Sequence, residues 1–523
     1  MNVGLNIKDS KTSIDRIRSI DFVLFCIVFV ALSLPLVQGA RQSFWIDEGV
    51  TVNVARMSTL EEIFKFFAST KASEPQLPGY FIYTHFWIKA FGDSELCARA
   101  SNLPWVVLLS FCWIRISKML NTDKFEHILF SIAIAFMPYL SYFVYEFRPY
   151  FAFISCGALA FYGLMRRDGV GVAMTSMAVC IATSLSLLGF FAIPAIVVTE
   201  IILSKFDWPT LFRKWKIATL LVCPFLCALG FYYVQTIYTG AGGMRYPPTL
   251  INLGSIFYEF LGLLGLGPAR EEFHDANLLQ IFRPYASKLA FVIISFLGIF
   301  VSFIGQQIFT FKTVRSKYYN KENQPFLASF VFSSIGIFTL FLMGIVAEWQ
   351  VLARHNAMFF IAFIIPIVFL ITKSLKGVYG RSCRAFSVAI LMSWLTSSYR
   401  LNLSSNYERD DYRGAAIFAQ QLNFKDNNLL FTGDPFTFQY YLSKFVPTLR
   451  VDDVKFLNNL DAELLKSKIG SLELKPTFIF KHKPKYYDVK NSLKAYLAED
   501  RDALLVAKFK SFEIWKIKSG LRQ

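Results

Sequence analysis

The 523-residue chain is 54% hydrophobic and 17% aromatic, with 56 Phe, yet only 17% of its residues are charged. That balance excludes an ordinary soluble domain and a disordered chain, and it fits a bundle of membrane-spanning helices. The formal net charge of +17 is read as Lys and Arg gathered in cytoplasmic loops, so no nucleic-acid partner is expected.

In chain order, eleven apolar runs reach the roughly 17–25 residues that a spanning helix needs. They cover about 21–38, 98–117, 127–145, 148–165, 171–188, 189–204, 216–235, 288–310, 326–347, 355–372 and 384–400. Pro35, Pro194, Pro224 and Pro366 fall inside four of them and are expected to kink helices that neighbouring helices support. The first run lacks a small-residue cleavage site and reads as an anchor. The eight Cys lie almost entirely in apolar runs, with none after Cys383, so no disulfide framework is expected.

Alternating these runs from a cytoplasmic N-terminus places "KDSKTSIDRIR", the turn at 115–124, "RRDG", "SKFDWPTLFRKWK", "FKTVRSKYYNK" and "KSLKGVYGRSCR" inside. Each is rich in Lys or Arg, while Asp47, Glu48, Glu61, Glu62, Asp93, Glu95, Glu146 and Glu348 fall outside. The stretch "LPGYFIYTHFWIKAF" (residues 77–91) is too short to span, and counting it as a span would reverse every later loop. It reads as an interfacial helix. The first outer loop, 39–97, is thus a pair of surface helices, one from 52 to 69 and one from 77 to 91. A second large outer loop covers 236–287, and its apolar piece at 251–266 is compatible with either a re-entrant or an interfacial segment.

After residue 400 the composition turns polar. Helices are expected near 411–422, 435–444 and 487–498, with strands at "NLLFTG", "PTFIF", 503–508 and 511–517. The fold expected is therefore a polytopic α-helical membrane protein, N-terminus inside and C-terminus outside. A transmembrane module over 1–400 is followed by a small extracytoplasmic α/β domain over 401–523.

The candidates for chemistry share the outer face in this topology. Asp47 and Glu48, in "FWIDEGV", either cap the helix that follows or supply a general base, since a carboxylate at an apolar interface can gain basicity. Glu146 and its neighbour Tyr145 lie in the turn "YLSYFVYEFRPY"; Arg148 is either a partner for Glu146 or, with Arg354, a clamp on a phosphate, which the planar guanidinium suits. His355 adjoins Arg354. The five His are scattered without metal-ligand spacing, so no metal site is expected, and no P-loop or dinucleotide fingerprint appears.

Four blocks carry a resemblance: "FWIDEGVTVNVAR", "EPQLPGYFIYTHFWIKAFGDSELCARASNLPWVV", "SYFVYEFRPYFAFISCGAL" and "LARHNAMFFIAF". In this order they resemble the GT-C membrane glycosyltransferases, nearest the branch of the protein O-mannosyltransferases and the lipid A aminoarabinose transferase. "DDYRGAAIF" is similar to the start of that family's outer domain. The resemblance implies transfer of a sugar from a polyprenyl-phosphate donor to a hydroxyl of an extracytoplasmic lipid, glycan or protein, usually with inversion and with no required cofactor, a divalent cation remaining compatible. It implies Asp47 as catalytic base, Glu146 as the acid of the second outer loop, and Arg148 and Arg354 on the carrier phosphate. The family often places a cation ahead of the interfacial helix, where this chain has Glu74, Pro75 and Gln76. Lys71 or His85, or the loop at 245–283, then becomes the substitute. The expected location is a bacterial inner membrane with the site on its periplasmic face.

Two other classes fit parts of the chain. A transporter shares the many spans but favours repeated halves and polar midplane helices. A glycan ligase or polymerase using lipid-pyrophosphate donors predicts a large outer loop with Arg and His, as Arg245, Arg270, His274 and Arg283 supply in 236–287.

Overall fold

In the computed structural model, the described residues are 7–121, 123–239, 247–269, 278–311, 324–422, 426–446, 454–457, 460–470, 472, 475–483, 487–488, 490–499 and 502–517. Arg245, Arg270 and His274 lie outside them. The chain divides into two compact units: a helical unit of Met1–Gly39, Thr59–Thr84 and Arg99–Tyr407, and a mixed unit of Ala40–Ser58, His85–Ala98 and Glu408–Gln523.

Six helical segments among the described residues are long and apolar enough to cross a membrane: Ser19–Gly39, Glu95–Leu120, Trp208–Tyr238, Gln280–Val301, Gln324–Val346 and Ala353–Leu375. The Trp208–Tyr238 helix buries only Tyr233, and Leu220, Leu221 and Phe231 stand exposed along it. Apolar faces of that length need a hydrocarbon solvent. The chain is an integral membrane protein.

The other five expected spans differ from that measure, each for a visible reason. The run at 127–145 is broken into Lys124–Ala133, a 3-10 turn at Ile134–Phe136 and a helix Pro138–Phe143. Pro138 lacks the N–H that would continue the helix and forces Met137 into an extended conformation (φ −75°, ψ 114°). The segments Tyr150–Arg166, Gly169–Leu185 and Leu187–Leu203 are apolar but no longer than 17 residues. The first of these buries every residue from Tyr150 to Leu164, so it is the central helix of the unit and meets protein on all sides. The Gly380–Leu403 helix is long enough but interrupted by Arg381, Arg384 and a series of serines.

The single helix expected over 52–69 is also two. Ile46–Ala55 ends at Arg56, and Leu60–Ser69 restarts with Thr59 as its cap, whose hydroxyl accepts the Glu62 N–H at 3.2 Å. The segment at 77–91 forms the helix Pro78–Phe91 after a 3-10 turn at Glu74–Gln76.

The helical unit has polarity. At one end Lys118 pairs with Asp21 at 2.6 Å, Lys373 with Glu126 at 2.6 Å and Lys376 with Asp123 at 3.3 Å. The Leu103–Leu120 helix leads away from this end, and its 18 residues separate Lys118 from Asn102 by roughly 25 Å along the axis.

The mixed unit is built on a five-stranded sheet in the order β2-β1-β3-β5-β4, where β1 is Asn428–Thr432, β2 Val454–Phe456, β3 Thr477–His482, β4 Leu504–Phe509 and β5 Phe512–Ile517. β1 pairs parallel with β2 and β3; β5 pairs antiparallel with β3 and β4. β1 and β3 are buried almost throughout, which is why they read as unbroken apolar runs. The Ile46–Ala55 helix packs beside the helix Pro435–Phe445. Phe44 N–H donates to the Tyr441 hydroxyl at 2.6 Å, and Asn53 Nδ2 donates to the Phe436 carbonyl at 2.6 Å. Arg413 pairs with Glu95 at 2.7 Å and reaches the carbonyls of Ala40 and Gln42, so residues 40–58 and 85–98 are bound into this unit.

Candidate functional site

The sequence candidates fall into one group in each unit. In the helical unit, Tyr145, Glu146 and Arg148 occupy the turn between Pro138–Phe143 and Tyr150–Arg166, and all three are buried. The turn is tight: Glu146 N–H donates to the Phe143 carbonyl at 3.2 Å and Arg148 N–H to the Glu146 carbonyl at 2.8 Å. Its carbonyls are held from the start of the Leu103–Leu120 helix, where buried Asn102 donates Nδ2 to the Val144 carbonyl at 2.8 Å and the Glu146 carbonyl at 2.9 Å. Gly39 lies so close to Tyr145 that a Cβ there would stand 2.6 Å from the Tyr145 Cβ, and the fully buried Arg99 donates to the Gly39 carbonyl. Ionised groups buried in this way are retained only when paired, hydrogen-bonded or put to use.

Arg354 and His355 come to the same turn. The Tyr139 hydroxyl donates to the Ala353 carbonyl at 2.9 Å, and the Arg354 guanidinium lies 5.7 Å from the centre of the Tyr150 ring. His355 accepts the Leu352 N–H on Nδ1 at 3.1 Å, which leaves Nε2 as the protonated nitrogen of its neutral form, and its ring lies 4.5 Å from Trp349. Arg354 therefore lies against the first residue of the Tyr150–Arg166 helix, which follows the turn bearing Glu146 and Arg148, and that turn, held by Asn102, is at the end of the helix bundle opposite the Lys118–Asp21 pair. Lys71 is exposed in the segment after Leu60–Ser69.

In the mixed unit the tandem acid is split by geometry. Glu48 is fully buried and its Oε2 accepts the Trp45 N–H at 3.2 Å, closing the helix start as a capping residue. Asp47, one position earlier, is half-buried; its carbonyl accepts from the Thr51 hydroxyl at 2.8 Å. His85 is buried and directs Nδ1 at the Ala55 carbonyl, 3.0 Å away, so it donates to the helix end rather than presenting that nitrogen to a ligand.

Sequence reasoning missed a carboxylate beside Asp47. Asp434 caps the Pro435–Phe445 helix, accepting the Thr437 N–H at 2.7 Å and its hydroxyl at 2.6 Å. Burial pushes its pKa up to about 6, and the charge of Asp47 pushes the same way. Behind it, the Tyr412 hydroxyl lies 3.3 Å from His482 Nδ1, and His482 Nε2 lies 3.1 Å from Asp410. Burial alone would raise the Asp410 carboxyl, but the His482 hydrogen bond and the Lys483 ammonium 2.9 Å away hold it well below its ordinary value. No cluster of three or more metal-ligating side chains occurs among the described residues.

No protein-family model and no curated protein sequence matches this chain. Among solved structures it is similar to ArnT from Cupriavidus metallidurans, both in the apo state and bound to undecaprenyl phosphate. Each covers 94% of this chain and 97% of that one, at 13% identity and a TM-score of 0.44. Arabinosyltransferase EmbB from Mycobacterium smegmatis aligns over 76% of this chain and 32% of that one, again at 13% identity, with a TM-score of 0.34. At scores this low the case for function rests on the chain's own residues.

The residues that sequence reading passed over have faint signals. Asn102 sits two residues before Pro104 inside "CARASNLPWVV", and "GDPF" around Asp434 has the Asp-Pro pattern of a capped helix start. Neither signal names the partner.

Proposed function

We propose that this chain is an integral-membrane glycosyltransferase. It moves a sugar from a polyprenyl-phosphate donor to a hydroxyl of a lipid, glycan or protein on the outer side of the membrane, with inversion. The observation that supports it best is the division of labour in "IDEG": Glu48 is used up by the helix start, while Asp47 stays half-buried at the surface, where a base can meet a substrate.

In the reaction the acceptor oxygen attacks the anomeric carbon and the bond from that carbon to the phosphate oxygen breaks. Asp47 takes the acceptor's proton, and the phosphate leaves with the electron pair. Developing charge on the leaving phosphate is met by guanidinium groups, the role assigned to Arg148 and Arg354, with Glu146 as the acid of the second outer loop. No metal step is needed to balance the chemistry, because the phosphate is already an anionic leaving group. The eleven-span topology, the outer-face orientation and the bacterial inner membrane belong to the same proposal.

The test is a strain lacking the chain, restored with wild type or with Asp47→Asn, its envelope lipids, glycans and proteins compared by mass spectrometry. One sugar mass should vanish on deletion, return with wild type and stay absent with Asp47→Asn. Full restoration by Asp47→Asn would remove the base assignment, and an unchanged envelope would remove the reading altogether.

A further inference from the structure

We propose that the end of the helical unit marked by the Lys118–Asp21 pair carries a binding site for an anionic phospholipid. Arg167 stands there between a cationic hollow for the phosphate headgroup and an apolar hollow for an acyl chain. The site is at the opposite end of the bundle from the turn bearing Glu146 and Arg148, and it does not depend on the sugar-transfer reading.

The two hollows adjoin, since Arg167, Leu203 and Gln324 line both. The polar one has a volume of about 370 Å³, a size usual for small-ligand sites. Arg167, Lys205 and Lys214 enter its lining against a single acid, Glu200, which is buried and bound to the Lys214 ammonium at 2.6 Å. Among the described residues three cations thus meet one carboxylate. The acids nearby in sequence are engaged elsewhere: Asp168 with Arg166 and with the Gly171 N–H at 2.7 Å, Asp207 with the Thr210 N–H at 3.2 Å. Basic pockets between membrane helices are suited to anionic headgroups.

The second hollow, of about 280 Å³, is mainly apolar. Ile116 and Leu120 line it from the end of the Leu103–Leu120 helix, Phe161 and Met165 from the end of Tyr150–Arg166, and Pro325 from the start of Gln324–Val346. Arg167 joins the two spaces. It ends the Tyr150–Arg166 helix in a left-handed conformation (φ 59°), and its guanidinium donates to the Leu203 carbonyl at 2.5 Å and to Gln324 Oε1 at 3.2 Å. Those two bonds hold the group in place and, among the described residues, leave its other N–H donors to an anion.

The level of the pair in the membrane favours a lipid over a soluble phosphate. The polar hollow lies where the Trp208–Tyr238 helix starts, beside the exposed Phe206, Trp208 and Phe212. Farther along the same helix Ile217, Leu220 and Leu221 are exposed, so the aromatic group stands at the boundary where headgroups begin. Ile116 and Phe161 sit roughly 6–8 Å inward from the ends of their helices. The apolar hollow therefore extends toward the hydrocarbon while the cations stay at the rim, which is the order of chain and headgroup in a phospholipid.

The test is equilibrium binding to the full-length protein in detergent, counted by native mass spectrometry, with phosphatidylglycerol and phosphatidylcholine of identical chains as probes. Wild type should bind phosphatidylglycerol roughly tenfold more tightly than phosphatidylcholine. Arg167→Gln should reduce that ratio to about threefold or less. Met165→Trp, which fills the apolar hollow and leaves the charges in place, should weaken both lipids. Equal affinity for the two lipids in wild type overturns the proposal, as does full selectivity in Arg167→Gln or undiminished phosphatidylglycerol binding in Met165→Trp. Should Arg167→Gln fold poorly, Met165→Trp alone still reads the site. Glycerol 3-phosphate at millimolar concentration should leave phosphatidylglycerol bound; displacement would assign the polar hollow to a soluble phosphate and overturn the lipid.

Discussion

Asn102 donates from its single side-chain amide to the carbonyls of both Val144 and Glu146, at 2.8 and 2.9 Å, and so fixes the backbone of the turn that bears Glu146 and Arg148. Both carbonyls lie in buried residues, where no water can replace a lost donor. Asn102→Ala should destabilise the protein by about 1–3 kcal/mol, the usual cost of stranding buried polar groups. Asn102→Asp should cost at least as much, because it turns the donor into an acceptor facing two carbonyls. Thermal unfolding in detergent checks both. Transfer by the Ala variant should fall further than its melting point explains, since the turn's geometry is what it loosens.

Asp47 and Glu48 should respond oppositely to neutralisation. Glu48→Ala removes the acceptor for the half-buried Trp45 N–H and should cost about 1–2 kcal/mol, while Glu48→Gln keeps an oxygen there and should lose a fraction of that. Asp47→Asn should leave the melting temperature within about a degree of wild type, being half-buried, yet abolish transfer. Melting curves alongside the envelope assay separate the two acids; equal loss of stability in both variants would contradict the split.

Gly49→Ala drives a methyl group into Thr437, whose Cβ and Cα lie 2.5 and 2.7 Å from the new Cβ. Overpacking of this kind typically costs 1–3 kcal/mol. The second contact is to backbone, so adding Thr437→Ala should not restore stability. The check is unfolding of the single and double variants, with rescue by the double variant as the contrary result.

How far these relationships could be read in advance depends on their range. The strands "NLLFTG" and "PTFIF" were legible because buried parallel strands are continuous apolar runs, whereas β2, three residues over Val454–Phe456, is too short to show a period. The helix Ala462–Gly470 was missed because its apolar positions are few. Hydrophobicity alone merged 127–145 and 52–69 into single helices, although Pro138 and Thr59 mark the breaks by backbone chemistry. The capping role of Glu48 is local and could be foreseen. The approach of Asp434 to Asp47 spans almost the whole chain, and no local pattern encodes it; nor does "SNLP" reveal which carbonyls Asn102 holds.

The Asp434 carboxyl gives a pH dependence with a definite sign. Its pKa is raised from the ordinary 3.8 to about 6, first by burial, against two hydrogen bonds from Thr437 and with the Asp47 charge adding to the rise. Between those values the folded protein binds more protons than the unfolded chain, so the contribution of Asp434 to stability is full below about pH 4 and is lost as pH climbs through 6. At about 1.4 kcal/mol per pKa unit, the loss is on the order of 2–3 kcal/mol by pH 7.5. Asn is an equally good cap and carries no charge. Asp434→Asn should therefore match wild type near pH 4 and melt at a higher temperature near pH 7.5, with the difference opening across pH 5–6.5. Asp410 titrates with the opposite sign, its depressed carboxyl stabilising the fold above about pH 4 and ceasing to do so as the medium is acidified further. Because Asp410 is present in both proteins, its effect largely cancels in the difference. Paired melting curves at four or five pH values read the result, and a difference constant with pH would show that Asp434 titrates as an ordinary surface acid.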